Sequence, residues 1–217
     1  MLFEGCDDIS FSPLYNRFGV PPFSVLDTTQ GFWQNRVKQW KSFGIESEIG
    51  RSADLQPRLA HLNNYGVGFK NIGVSVFDPV LCELMYSWFI PSVIEKSNVL
   101  DCFAGGSVRG IVAGVLGKNY IGVDLREEQV NENKRQWDNC QLNTKNGSVE
   151  WICGDSKDIV DLLGDNRRFD FLFSCPPYYD LEVYSDDKND LSNLDSYDDF
   201  VEKYFYYIQK LFSFEGR

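Results

Sequence analysis

The stretch Phe169-Asp-Phe-Leu-Phe-Ser-Cys-Pro-Pro-Tyr-Tyr-Asp180 joins an apolar run to an abrupt, proline-rich turn. The apolar run predicts a strand that is buried on both faces, as strands of a parallel sheet usually are. The run stops at Pro176 and Pro177, because a proline has a fixed φ and no backbone N–H to donate. We therefore expect a buried strand that ends in a stiff turn.

The turn combines hydrogen-bond acceptors with aromatic rings. The main-chain carbonyls of Cys175 and Pro176 are hydrogen-bond acceptors, and Tyr178 and Tyr179 follow directly as flat apolar surfaces. Acceptors beside an aromatic ring suit a planar group that carries an NH2, such as a nucleobase or a side-chain amide. In the alternative interpretation, the two prolines only end the strand and the two tyrosines only pack at its rim.

Strands and helices alternate in the chain before this turn. Short apolar strands are predicted to start at Asn98 and to span residues 120–124 and 149–153, and the stretch quoted above supplies a fourth. Helices are predicted after each of the first three strands, starting near Val108, Glu127 and Ile159. Alternation of this kind is typical of the α/β class with a parallel, doubly wound sheet.

The N-terminal part of the chain is less regular. One helix is predicted to open at Thr28 and to close at Gly44, with tryptophans on one side. Its other side is basic, which fits a solvated face and a nucleic-acid contact equally well, and carries Arg36, Lys38 and Lys41. A second helix is predicted to have Asp78 as its N-cap and Pro79 as its first residue. We divide the chain into an N-terminal extension, residues 1–70, and a main domain, residues 71–217.

Composition narrows the class of protein. With 217 residues and 43% apolar residues, the chain is long and apolar enough for a globular domain, and no run of apolar residues suggests a membrane span. Six cysteines without a C-x-x-C pair and a single histidine, His61, argue against a zinc site and fit a reducing cytoplasm. The net charge of −11 disfavours nucleic-acid binding in general. Residues 31–70 nevertheless hold six Lys and Arg against three Asp and Glu, so phosphate contacts are expected there.

Three predicted strand ends carry residues that suit a nucleoside. In sheets of this kind, ligands bind outside the carboxyl ends of the strands. The first strand leads into Gly105-Gly106, where backbone can approach a ligand closely. Asp124 ends the second strand, where it can accept from both ribose hydroxyls, and Asp155 ends the third, where it can accept from an adenine amino group. Because Ser107 interrupts the G-x-G-x-x-G pattern, S-adenosylmethionine fits better than a dinucleotide.

On these motifs the sequence resembles the amino-methylating DNA methyltransferases, phage-encoded ones in particular. Asp101-Cys-Phe-Ala-Gly-Gly-Ser107 resembles their cofactor loop, and Gly122-Val-Asp124 and Gly154-Asp-Ser156 resemble their ribose and adenine segments. Ser174-Cys-Pro-Pro-Tyr178 resembles their catalytic turn, and the region from Ser75 to Phe89 resembles the segment over the methionine part of the cofactor. The resemblance covers about residues 70–200.

The resemblance implies a Rossmann-like, S-adenosylmethionine-dependent methyltransferase fold without a metal. It implies catalytic roles for Ser174, Cys175, Pro176, Pro177 and Tyr178. It implies that the cofactor is held by Ser75, Phe77, Asp101, Phe103, Ala104, Gly105, Gly106, Ser107, Asp124, Leu125, Asp155 and Ser156.

The implied reaction is direct methylation of an exocyclic amino group of a DNA base that has been flipped out of the duplex, with Tyr178 stacking on it. Adenine N6 is favoured over cytosine N4. DNA is therefore an expected partner, and the expected location is the cytoplasm, of the host if the chain is phage-encoded. Methylation of an RNA base or of a protein glutamine amide is an alternative, as is a truncated, inactive methylase that only binds cofactor or DNA.

Two features depart from the family pattern. Cys175 stands where the family has Asp, Asn or Ser, and a thiol is a poor acceptor. The family's sheet has seven strands, whereas this chain stops at Arg217, one helix after the fourth predicted strand. We therefore expect a fold that is incomplete at its C-terminus. The stretch 169–173 is then an apolar edge strand, which soluble proteins normally avoid. Either the N-terminal segment before residue 75 covers this edge, or a second polypeptide supplies the missing strands and is a partner. The third alternative is a truncated gene product that associates nonspecifically.

Overall fold

The computed structural model describes residues 26–46, 77–91, 94, 96–140, 146–164, 167–179 and 183–212. Its helices, named in chain order, are α1 (Gly31–Lys41), α2 (Pro79–Phe89), α3 (Val108–Val115), α4 (Glu127–Asn139), α5 (Ile159–Leu163) and α6 (Tyr197–Phe212). Its strands are β1 (Asn98–Asp101), β2 (Asn119–Asp124), β3 (Val149–Cys153) and β4 (Phe171–Leu172), and short 3₁₀ helices lie at Ser156–Asp158 and Leu191–Asn193.

The four described strands form one parallel sheet in the order β3-β2-β1-β4. This order matches the first four strands of a Rossmann-like sheet, 3-2-1-4-5-6, in which the chain crosses to the other side of β1 after β3. Helices cover both faces, because successive residues of a strand point to opposite sides. Val99 of β1 belongs to a core with α1 to α4, whereas the adjacent Leu100 belongs to a core with α5 and α6. The predicted α/β fold with a parallel, doubly wound sheet is confirmed.

Close packing of α3 against the sheet depends on glycine. A Cβ built on Gly110 would come within 2.5 Å of the Trp151 ring and 2.9 Å of the Tyr120 ring. Both rings are almost fully buried. Helix α3 can therefore lie this close to β2 and β3 only because position 110 has no side chain, and this contact holds the start of α3 beside the end of β1.

The predicted start of α2 is confirmed. Oδ1 of Asp78 accepts hydrogen bonds from the backbone N–H groups of Val80 and Leu81, at 2.8 and 3.2 Å. Its Oδ2 accepts from Nε1 of Trp33 at 2.8 Å, so the same carboxylate also ties α1 to α2. Such a cap satisfies donors that the first turn of a helix leaves open.

Helix α1 also forms as predicted, and it shares the main core. Trp33 and Trp40 are buried there, so the part of the N-terminal extension that the structure describes packs against the sheet domain. Arg36, counted in the predicted basic face, forms an ion pair with Glu83 of α2. Lys38 and Lys41 remain exposed. His61 lies outside the described residues.

The prediction of a strand buried on both faces at 169–173 is wrong. Only Phe171 and Leu172 form a strand, and among the described residues it pairs with β1 alone, at the edge of the sheet. Leu172 is 40% exposed. An edge strand has one free side, so its apolar residues cannot all be enclosed. Phe171 and Phe173 instead pack on one face, against the ring of Tyr86.

No helix in the described ranges is both long enough and apolar enough to cross a membrane. Those ranges also contain no group of three or more His, Cys, Asp or Glu that could hold a metal ion.

Candidate active site at the strand ends

A pocket opens where the carboxyl ends of β1, β2 and β3 meet the turn after β4. Residues from all four strand ends line it, as expected for a ligand site in an open parallel sheet. It contains eight of the residues predicted as cofactor-binding or catalytic: Phe103, Gly105, Asp124, Leu125, Asp155, Ser156, Cys175 and Pro177. The structure therefore brings the two predicted halves of the site, which are distant in sequence, to one place.

Asp124 fixes the loop that follows β1. Its Oδ2 accepts a hydrogen bond from the Gly105 N–H at 2.7 Å, and its Oδ1 accepts from the Arg126 N–H at 2.9 Å. Gly105 has a φ of +49°, in the region that favours glycine. The carbonyl of Gly105 accepts from the side-chain amide of Asn133 on α4, at 2.7 Å. The glycine loop is thus held between β2 and α4, and Gly105 lines the pocket.

Asp155 caps the 3₁₀ helix after β3. Its Oδ1 accepts from the Lys157 N–H at 3.0 Å and from the Tyr207 hydroxyl of α6 at 2.7 Å. Its Oδ2 is buried and lies 3.0 Å from Nζ of Lys157, with which it forms an ion pair. Burial raises the pKa of Asp155, but the bonds from Lys157 and Tyr207 outweigh it and keep the pKa below 3.8. Asp155 is therefore an ionised acceptor.

Asp101 lies beneath the glycine loop rather than in the pocket. Its side chain is fully buried. Oδ2 accepts from Nε of Arg109 at 2.6 Å and from the Tyr120 hydroxyl at 2.7 Å. Oδ1 accepts from the Ser174 hydroxyl at 2.7 Å and from the Phe103 N–H at 3.2 Å. The carboxylate thus ties the end of β1 to the start of β2, to α3 and to the turn after β4.

Arg109 completes this buried network. Its guanidinium donates to the main-chain carbonyls of Phe103 and Ala104, at 2.7 and 2.9 Å, and lies 4.6 Å from the centre of the Phe77 ring. Burial alone would lower the pKa of Arg109, but the neighbouring Asp101 carboxylate raises it above the usual value. The pair is therefore a charged pair enclosed in protein, which tolerates the loss of neither partner.

Ser174 faces this network and not the pocket. Besides donating to Asp101, its Oγ accepts from the Phe103 N–H at 2.9 Å. The thiol of Cys102 also points at it, with Sγ 3.6 Å from Oγ. Burial raises the pKa of the Cys102 thiol to about 12, so it is uncharged at neutral pH. Ser174 therefore joins the predicted catalytic turn to the predicted cofactor loop through its hydrogen bonds with Asp101 and Phe103.

The rest of the turn is more open. Cys175 and Pro177 line the pocket, and the Cys175 Sγ lies 3.4 Å from the Tyr178 hydroxyl. Tyr178 is 61% exposed, so much of its side chain is accessible to solvent. Tyr179 has a φ of +50°, the only positive value among the described residues other than glycine. Backbone strain at such a position often accompanies a functional turn.

Aromatic rings continue from the turn onto α6. The Tyr179 ring lies 5.8 Å from Tyr197 and 5.7 Å from Phe200, and its hydroxyl donates to the Asp195 carbonyl at 3.4 Å. Phe200 in turn stacks on Tyr204, with ring planes 4° apart. The first turns of α6 therefore support the catalytic turn from one side.

The segment 183–194 forms a further wall of the pocket, which the sequence motifs did not predict. Tyr184, Asn189 and Leu191 line the pocket. Asp190 orders the segment, because its carboxylate accepts from the Ser185 hydroxyl at 2.8 Å and from the backbone and hydroxyl of Ser192 at 2.9 and 2.7 Å. The capping pattern of this segment does not by itself reveal what the segment covers.

Several predicted residues lie away from the pocket. Ser75 is outside the described residues. Ala104 and Ser107 are buried, and the Ser107 hydroxyl donates to Oε1 of Gln136 on α4 at 2.6 Å. Phe77 packs against Phe173 on the far side of the Asp101 network. Pocket residues that sequence reasoning missed are Cys102, Val123, Arg126, Gln129, Gly154, Tyr184, Asn189, Asp190, Leu191 and Tyr207.

Comparison with known proteins agrees with this arrangement. Residues 80–208 match the family described as "Conserved hypothetical protein 95", so the match spans more than half of the chain. The chain belongs to this family. It is an RNA/DNA methyltransferase-like family, in agreement with the methyltransferase class expected from the sequence motifs. This class implies S-adenosylmethionine as the cofactor.

No curated protein matches the sequence. Among solved structures, the chain is similar to a protein-L-isoaspartate O-methyltransferase, with 15% identity and a TM-score of 0.35. The similarity covers 66% of this chain and 47% of that protein, so the chain spans about half of its length.

Proposed function

We propose that the protein transfers a methyl group from S-adenosylmethionine to an exocyclic amino group of a DNA base, adenine N6 in preference to cytosine N4. One observation carries the proposal. Cys175 and Pro177 of the catalytic turn line the same pocket as Gly105, Asp124 and Asp155. A methyl donor and a planar acceptor must meet within one site for direct transfer, and this pocket offers suitable groups for both.

The residues of the pocket fit the cofactor. Asp155 lines the pocket after β3 as an ionised carboxylate, a type of acceptor that suits the amino group of an adenine. Asp124 stands at the end of the neighbouring strand, where its carboxylate can also accept from ribose hydroxyls. When bound, S-adenosylmethionine supplies an electrophilic methyl group on a positively charged sulfur. The glycine loop allows backbone to approach it without a Cβ in the way.

The catalytic turn is suited to activate a planar amino group. The lone pair of such a nitrogen is delocalised into its ring, so the nitrogen is a weak nucleophile. The main-chain carbonyls of Cys175 and Pro176 would accept hydrogen bonds from the two N–H groups of this nitrogen. These bonds would favour a tetrahedral nitrogen, whose lone pair is no longer delocalised into the ring. Because the Ser174 hydroxyl is engaged with Asp101 and Phe103, and the thiol of Cys175 is a poor acceptor, these carbonyls would bind the amino group.

Tyr178 is suited to hold the target base. A base inside a duplex is out of reach of a pocket, so it must be flipped out before it reacts. The Tyr178 ring is 61% exposed and stands directly after the two prolines. A base that stacks on an exposed aromatic ring gains about 1–3 kcal/mol, which offsets part of the cost of flipping.

A second candidate substrate, a glutamine amide in a protein, is favoured by the charge around the pocket. The residues beside the catalytic turn are strongly acidic, with exposed carboxylates at Asp186, Asp187, Asp195, Asp198, Asp199 and Glu202. Carboxylates repel the phosphates of a nucleic acid, whereas they attract a basic polypeptide. A side-chain amide is also planar and carries an NH2, so the same two carbonyls could bind it.

The deciding experiment is transfer of tritiated methyl from S-adenosylmethionine to DNA, RNA and protein in parallel. Label in DNA, identified by nucleoside analysis as N6-methyladenine or N4-methylcytosine, supports the leading proposal. Label in protein or RNA only would replace DNA with that substrate. Cofactor binding without any transfer would indicate an inactive methylase. Tyr178→Ala is the matched variant, because it removes the base platform and leaves the cofactor loop untouched.

A further inference from the structure

The inner face of α4 buries amides where a helix that covers a sheet usually buries apolar residues. Gln129, Asn133 and Gln136 are spaced by four and three residues, so they lie on one face of the helix. Each of them is at most 1% exposed. We call these three residues the amide stripe. Because burial of an amide is unfavourable unless its hydrogen bonds are made, the partners of the stripe indicate its role.

The amide stripe holds the cofactor loop at two points. Nδ2 of Asn133 donates to the carbonyl of Gly105 at 2.7 Å, and Oε1 of Gln136 accepts from the hydroxyl of Ser107 at 2.6 Å. Gly105 lines the pocket, whereas the Asn133 side chain that bonds to it is fully buried. Asn133 therefore acts on a ligand in the pocket through Gly105.

The Gly105 peptide is fixed from both sides. Its N–H donates to Oδ2 of Asp124 at 2.7 Å, and its carbonyl accepts from Asn133. Its φ is +49°, a region that glycine populates about as readily as negative φ, so the two hydrogen bonds and not the chain itself hold this conformation. Because the C=O and N–H of a trans peptide point in opposite directions, the bond from Asn133 also fixes the direction of the Gly106 N–H.

The carbonyl of Gly105 determines how the amides are oriented. A carbonyl only accepts, so Asn133 presents Nδ2 to it and Oδ1 to Gln129. Nε2 of Gln129 donates to that Oδ1 at 2.8 Å and so orients Asn133. Oε1 of Gln129 is buried without a hydrogen-bond partner in the part of the chain that the structure describes, which lowers stability. A polar network that lowers stability and yet holds a pocket residue is typical of a functional site.

We propose that the amide stripe is a positioning device that keeps the cofactor loop in its binding conformation, with Asn133 as the residue that controls affinity. The inference rests on the proposed function for the identity of the ligand, S-adenosylmethionine. A loop that is correctly placed only part of the time lowers the apparent affinity by that fraction. Since Asn133 holds the loop in place beforehand, the ligand does not have to order it.

The test measures binding of S-adenosylhomocysteine, the product of methyl transfer from this cofactor, by calorimetry. Asn133→Leu nearly keeps the size of the side chain and removes its donor. We expect this variant to bind about tenfold more weakly, as for a loop that is correctly placed about one tenth of the time. The thermal unfolding midpoint of each variant shows whether it is folded at the temperature of the binding measurement.

A second variant, Asn133→Asp, makes the same bond depend on pH. An ionised carboxylate cannot donate to Gly105, whereas a protonated carboxyl donates its O–H. Burial raises the pKa of the introduced carboxyl, as do Asp124, which holds the same peptide, and Glu132, which bonds to the amide stripe. Affinity should be at least about tenfold below that of the parent at about pH 8 and should approach it at about pH 5. Asn131→Asp, on the exposed face of α4, is the control and should match the parent at each pH.

The outcomes separate this inference from the proposed function. Parental affinity in the folded Asn133 variants would overturn the inference and leave the proposed function standing. A loss of affinity in Asn133→Asp that acid does not reverse would also overturn it, because loss of a single bond is reversible whereas a general loosening of the domain is not. Should one variant fail to fold, the other decides. Failure of the parent to bind S-adenosylhomocysteine would overturn the cofactor assignment, and the inference with it.

Discussion

Replacement of Asp101 by asparagine separates two roles that this residue could have. The sequence motif predicts a cofactor ligand, whereas the carboxylate is fully buried beneath the cofactor loop and accepts four hydrogen bonds. In Asp101→Asn, Arg109 would keep its charge in an enclosed site without a counter-charge. We therefore expect the change to act on the stability of the domain first.

The magnitude follows from the burial of the pair. The side chains of Arg109 and Asp101 are 5% and 0% exposed, and Nε lies 2.6 Å from Oδ2. Removal of one partner of a buried ion pair costs about 3–5 kcal/mol. For an m-value of about 2 kcal/mol per M, the urea midpoint should then fall by about 2 M. Domains have a total stability of about 5–15 kcal/mol, so the variant should be close to unfolding at 37 °C.

The assay is urea unfolding of four proteins: the parent, Asp101→Asn, Arg109→Met and the double variant. Because the two residues are in direct contact, their effects should not add. The double variant should be less destabilised than the sum of the single changes, since it leaves no buried charge unpaired. A loss below about 1 kcal/mol in Asp101→Asn, with a marked loss of cofactor affinity, would refute the structural role and restore the role of a ligand.

Three further outcomes are expected. Asp124→Ala should weaken S-adenosylmethionine binding by about 1.5–3 kcal/mol in calorimetry, the range for hydrogen bonds to a charged group; equal affinity would remove Asp124 from the site. Tyr178→Ala should cut methyl transfer while cofactor affinity stays nearly constant, and a parallel fall of both would make this tyrosine a packing residue. Burial raises the pKa of Asp155, but the hydrogen bonds from Lys157 and Tyr207 outweigh it and hold the pKa below the ordinary value of an aspartate. Folding therefore favours the ionised form, whose contribution to stability is present above that ordinary pKa and is lost as the pH falls through the lowered one. Acid unfolding of Asp155→Asn should show a weaker dependence on pH in that acidic range than the parent does.

The elements of the fold were largely predictable because their signals are local. Alternating apolar strands and helices, the Asp78 cap and the glycine turn each depend on residues a few positions apart in the chain. The carboxyl ends of the strands in a parallel sheet lie at one edge, so the sequence alone assigns Asp124 and Asp155 to one site. The predicted bounds of β2 and β3 agree with the structure for the same reason.

Other properties depend on contacts between distant parts of the chain. Whether the strand at 171–172 is central or at an edge depends on what lies beside it, which its own apolar residues do not reveal. A motif likewise identifies the residue types at a turn, but it does not show in which direction each side chain points. Ser174 therefore looked like a catalytic residue, although its hydroxyl bonds to Asp101 and to the Phe103 N–H, far away in sequence.

The sequence by itself thus determined the class of fold, the strand ends that form the site and the type of ligand that suits them. Only the tertiary structure decided how those residues divide between the pocket and its support. Asp101 became an enclosed anchor, and Tyr207 of α6 became the partner of Asp155. The physical reason is that backbone periodicity and capping act over a few residues, whereas a buried carboxylate takes its donors from whichever segments the packed core brings beside it.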